Sequence, residues 1–114
     1  MEILESKSGG ALVLAIKGRV DAQSSAAAQQ QILSLLDRGE TRLVLDLSGL
    51  GYVSSAGLRV FMTAGKRLNS VKGKLAFCSL QEGTSELFEI AGFTSLFPIF
   101  PTVEEAVREI TKSG

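Results

Sequence analysis

Leu43-Val44-Leu45 stands between the polar pair Thr41-Arg42 and Asp46 without a polar residue of its own. A strand with one wet face alternates apolar and polar side chains, whereas a strand covered on both faces does not. The run from Leu43 to Leu47 therefore predicts a buried strand in a parallel or mixed sheet with helices packed against it. Parallel neighbours need long right-handed crossovers, and helical patterns lie on either side of this run.

Taken in order, residues 2–7 alternate and predict a short strand, Ser8-Gly9-Gly10 a turn, and Ala11 to Lys17 a second strand ended by Gly18. That connection fits a hairpin, and it equally fits strands that are not neighbours. Asp21 to Ser25 reads as a loop entering a helix. From Ala28 the apolar positions Ile32, Leu35 and Leu36 are spaced as one helical face, closed by Gly39. Beyond the buried strand, Leu58, Phe61, Met62, Gly65 and Leu68 form a second helical stripe. Lys72-Gly73-Lys74 predicts a turn and Leu75 to Leu80 a fourth strand. Glu82 to Ala91 predicts a short helix with Leu87, Ile90 and Ala91 inward and Gly92 as its stop. Leu96 to Phe100 is the last strand, placed at a sheet edge because Pro98 lacks a ladder donor. Thr102 with Glu105 makes a capping box for a final helix packing through Val103, Ala106, Val107 and Ile110. The expected fold class is α/β. It is one domain over residues 1–114, with a mixed sheet of about five strands and about four helices.

Composition removes several functions. Twelve basic and twelve acidic residues balance and are scattered, so no basic face points to direct nucleic-acid binding. No apolar run approaches the ~20 residues of a membrane span. Met1-Glu2-Ile3-Leu4-Glu5 does not read as a signal peptide, so a cytoplasmic location without a membrane partner is expected. The single cysteine, Cys78, lies in a strand-like run and is expected as a small buried residue. There is no histidine, so Cys–His and Ser–His catalysis are excluded. Gly-x-Ser-x-Gly, dinucleotide and P-loop patterns are absent, so neither an enzyme nor a cofactor is expected. Asp21 and Asp46 both follow strands that enter the same edge of the sheet and can converge on the turn before Ser54, where two carboxylates near a hydroxyl either hold Mg²⁺ or cap backbone; no metal site is expected.

The junction after the buried strand carries the most information. Ser54 and Ser55 open the helix, where a hydroxyl accepts from an orphaned N–H and where a phosphate is also favoured. Asp46-Leu47-Ser48-Gly49-Leu50, followed by Tyr52-Val53-Ser54-Ser55-Ala56-Gly57-Leu58-Arg59-Val60, resembles the signature of STAS domains. It is most similar to the small bacterial anti-sigma-factor antagonists. Lys17 to Ala22 and Phe100 to Ala106 add weaker matches, so the resemblance covers nearly the whole chain. It implies a protein that binds an anti-sigma factor and thereby frees a sigma factor. It implies two partners: an anti-sigma factor with serine kinase activity, and a serine phosphatase that reverses the modification. By position the phosphate acceptor falls on Ser55, with Ser54 as the alternative. Ser54 stands where many members carry Asp, and Ala56 where Ser is common. The implied partner-binding residues are Asp21, Ser54, Ser55, Ala56, Gly57 and Arg59.

Plainer roles exist for each residue. Ser54 and Ser55 serve as helix caps, Asp21 and Asp46 satisfy backbone donors, and Gly57 permits close helix–sheet packing. Arg59 is solvated charge, and Tyr52, Phe61 and Met62 are core. Two other functions fit the same fold: an unphosphorylated scaffold or regulatory module in a larger signalling assembly, and a small-ligand or nucleotide-binding module.

Overall fold

Leu43, Val44 and Leu45 are fully buried at the middle of the sheet, as an unalternated apolar strand requires. The computed structural model describes residues 1–112. Its elements are β1 (Glu2–Ser8), β2 (Ala11–Val20), α1 (Ser25–Leu36), β3 (Arg42–Asp46), β4 (Leu50–Val53) and α2 (Ser55–Ser70). They continue with β5 (Lys74–Cys78), α3 (Glu82–Ile90), α4 (Phe93–Leu96), β6 (Ile99–Phe100) and α5 (Val103–Ile110). The main sheet runs β1-β2-β3-β5-β6. β1 and β2 form an antiparallel hairpin, and every other pairing is parallel.

The sheet separates two apolar layers. One face carries Leu12, Leu14, Leu43, Leu45 and Phe77 against α1, α2 and α3, and holds most of the core. The other carries Ala11, Val13, Val44, Ala76 and Cys78 under α5, through Ala106, Val107 and Ile110. Thr102 Oγ1 accepts from the Glu105 N–H at 3.1 Å, which makes the cap of α5.

Among the described residues there are six strands and five helices, one more of each than the apolar pattern predicts. The extra strand, β4, lies within the junction. β2 runs past Gly18 to Val20, beyond the end of β3, and β4 pairs with that overhang. With Leu50 and Val53 buried and Gly51 and Tyr52 exposed, β4 is too short to show a strand period. The extra helix, α4, is one turn after Gly92, whose φ is +82°. It takes up Leu96, so the last strand shrinks to Ile99–Phe100, at the edge beside β5.

The predicted inward face of α3 is corrected. Ile90 is 84% exposed and Ala91 is exposed, while Thr84 and Phe88 are buried. The reason is aromatic packing. Phe88 sits 5.0 Å from Phe77 and 4.9 Å from Phe93 between ring centroids. Two residues further along a helix turns about 200°, which carries Ile90 to the opposite side.

Candidate functional site

β2 and β4 run side by side, so Arg19-Val20 lie next to Tyr52-Val53. The Ser54 N–H then donates to the Val20 carbonyl at 2.9 Å, which fixes where α2 begins. Ser54 is extended, and its Oγ accepts from the Gly57 N–H at 3.3 Å. Ser54 is therefore the helix cap and is half-buried. Ser55 is the first helical residue and is exposed. The two serines that the sequence left competing thus occupy different environments.

Gly57 explains how α2 meets the sheet. A Cβ there would lie 2.5 Å from Val53 Cγ2 and 2.8 Å from the Val20 carbonyl oxygen. No larger residue fits without moving α2 away from β2 and β4. Ala56 is half-buried beside it. Arg59 is exposed and joins no ion pair among the described residues.

Asp21 directly follows β2. Its Oδ1 accepts from the N–H groups of Gln23 at 3.0 Å and Ser24 at 3.1 Å, and from Ser24 Oγ at 3.2 Å. The Ser24 N–H is the leading cause that holds the carboxyl below its ordinary value. Arg19 Nε stands 3.7 Å from Asp21 Oδ2, and its guanidinium lies 4.3 Å above the Tyr52 ring. Tyr52 is 43% exposed, so it belongs to this surface and not to the core. Phe61 is fully buried and Met62 partly so.

Asp46 is not drawn to the same place. It pairs in register with Ala15, and its Oδ1 accepts from the Ser48 N–H at 3.0 Å. Asp21 lies beyond the far end of β2, roughly 15–20 Å further along at about 3.3 Å per residue. Each aspartate caps local backbone. Among the described residues no three potential ligands cluster to hold a metal ion. Cys78 is fully buried, and burial pushes its thiol up to about 11.

The structure therefore brings Asp21, Ser54, Ser55 and Gly57 to one corner, where α2 starts at the end of β2 and β4. Two features of this corner escape sequence reasoning. One is the Arg19–Tyr52 stack. The other is a groove of about 240 Å³ between β4 and α3, lined by Gly51, Tyr52, Val53, Gly83, Thr84 and Leu87. An exposed Gly-Tyr pair ahead of the serines is the only sequence trace of it. Depressions of about 420 and 440 Å³ lie elsewhere, by the C-terminal end of α2 and between β1 and α1.

An α/β sheet with a serine-capped helix at this junction defines a class, and the chain belongs to the STAS domain family, whose model matches residues 3–106. It is 39% identical over 106 residues to BtrV of Bordetella bronchiseptica, whose name is that of an anti-sigma factor antagonist. That match covers 93% of this chain and 91% of BtrV. The fold is also that of an anti-sigma factor antagonist from Thermotoga maritima, with a TM-score of 0.92 at 18% identity over 96% of this chain and 95% of that one. The Bacillus cell fate determinant SpoIIAA, solved unphosphorylated and phosphorylated, shares it with a TM-score of 0.75 at 16% identity. The unphosphorylated form covers 98% of this chain and all of SpoIIAA; the phosphorylated form covers 96% and 99%. Among the described residues no helix is long and apolar enough to cross a membrane.

Proposed function

We propose that this protein is an anti-sigma factor antagonist that binds an anti-sigma factor with serine kinase activity, and that phosphorylation of Ser55 turns the binding off. A serine phosphatase restores it. The partner meets the corner formed by Asp21, Ser54, Ser55, Ala56, Gly57 and Arg59. The observation that carries this reading is the division of labour between the two serines. Ser54 Oγ is engaged by the Gly57 N–H, whereas Ser55 is exposed at the first position of a sixteen-residue helix. A kinase reaches the second and not the first.

A phosphoserine adds about −1.5 to −2 charges. In the free protein the N-terminus of α2 stabilises that charge. In a closed interface an unpaired charge costs about 2–5 kcal/mol, which is about thirty- to several-thousand-fold in affinity. SpoIIAA, which shares the fold, exists in both phosphorylation states, and the same chemistry is assigned here to Ser55. The test is incubation with the cognate kinase and ATP followed by peptide mass spectrometry. Phosphate on Ser55 supports the reading; phosphate on Ser54 alone, or on neither, contradicts it.

A further inference from the structure

Ten of the eleven glycines among the described residues have a reason in the fold. Five adopt positive φ, and at four a Cβ would fall within 2.8 Å of another atom. Gly51 is the extra residue of β4 where its register with β2 shifts, a bulge, and Gly83 has none of these reasons. A Cβ on Gly51 would find only the Gly18 carbonyl oxygen at 3.8 Å, and one on Gly83 would find nothing within 4 Å. Glycine weakens a helix, so at Gly83 the fold alone favours alanine. Both glycines line the groove between β4 and α3. Neither puts a Cβ into the groove, which leaves room for another backbone to approach closely.

The surroundings say what approaches. At 100° per residue the surface of α3 passes from Leu87 through Gly83 and Ile90 to Glu86. The groove therefore runs into the most exposed large apolar side chain, Ile90, and then into a stripe of Glu82, Glu86 and Glu89. Five other carboxylates are ion-paired; among the described residues these three are not, and neither are Glu2, Asp46, Glu104 and Glu105. At its other rim the groove holds Tyr52, stacked under Arg19. Its floor residue Val53 leads directly into Ser54 and Ser55.

We infer that the Gly51–Gly83 groove is a second half of the docking surface, occupied by a segment of the anti-sigma factor that carries an apolar side chain beside a lysine or arginine. This inference rests on the function proposed above. The missing side chains let the partner backbone descend between β4 and α3, and its cation meets the α3 carboxylates as Ser55 meets the kinase.

The experiment is calorimetric titration of the purified anti-sigma factor into wild type, Gly83→Ala, Gly51→Ala, Glu86→Arg and Ser55→Asp, with thermal melts and sedimentation of each. Gly83→Ala is expected to keep or raise Tm by about 2–5 °C. It is expected to weaken binding about five- to a hundredfold, as a methyl forced into a packed contact does. Glu86→Arg is expected to weaken binding and reduce its salt dependence. Unchanged affinity in both glycine variants, with Ser55→Asp still weakened, overturns the groove and leaves the proposed function standing. No binding by wild type overturns both. Self-association of wild type that Gly83→Ala abolishes assigns the groove to a second copy and likewise overturns the inference.

Discussion

Ser54 and Ser55 are neighbours of one residue type in different environments, one engaged by a backbone N–H and the other exposed. Ser54 Oγ accepts from the Gly57 N–H, so Ser54→Ala removes a helix cap. The expected loss is about 1 kcal/mol, or a Tm lower by about 4–8 °C, with Ser55 still modified; melting and mass spectrometry check the two halves separately. Gly57→Ala costs more, about 1–3 kcal/mol or above, because the new methyl meets Val53 and Val20 at once; urea titration measures it. Asp21 bears on pH. The backbone N–H of Ser24 holds its carboxyl below the ordinary 3.8. A depressed folded-state value contributes stability that is present above about pH 4 and lost as pH falls further. Asp21→Asn should therefore flatten the acid limb of a stability-against-pH curve below pH 4 and leave its neutral shape. Motif and capping rules brought these residues out of the sequence. The resemblance puts the acceptor on Ser55 and leaves Ser54 as the alternative; that Ser54 is the cap follows from where β4 hands over to α2.

At the scale of elements, long periodic segments were readable and short ones were not. β2, α1, β3, α2 and α5 bury most of the side chains their patterns predict, with Leu35, Met62 and Val103 only partly covered. β4 has four residues and α4 one turn, too few for a period, and each exists only because a neighbour offers it an edge or a turn. α3 shows how tertiary packing overrides pattern. Leu87 and Ile90 share a helical face, yet Phe88 decides the orientation by reaching Phe77 and Phe93. Phe88→Ala is accordingly expected to cost about 3–5 kcal/mol, while Ile90→Ser stays within about 0.5 kcal/mol of wild type. Chemical denaturation of the two variants checks the contrast. If Ile90→Ser destabilises as much as Phe88→Ala, the assigned orientation of α3 is wrong.

At the scale of the whole molecule, the sheet fixes one working corner. β2 outruns β3, β4 attaches to the overhang, and α2 starts where β4 ends, so Asp21, Ser54 and Ser55 meet although more than thirty residues separate the first from the others. That Asp21 reaches the serine turn was readable from its place after a strand and from the family resemblance; the β2–β4 register that brings it there was not, because a parallel register beyond a glycine irregularity leaves no trace in apolar spacing. Charge added at Ser55 need not unfold anything to prevent docking, since Ser55 is exposed at the start of α2. The most direct measurement is the affinity of wild type, Ser55→Ala and Ser55→Asp for the cognate anti-sigma factor. Ser55→Ala is predicted to bind as wild type does, and Ser55→Asp at least about thirtyfold more weakly with an unchanged Tm. Equal affinity of all three proteins would contradict the account.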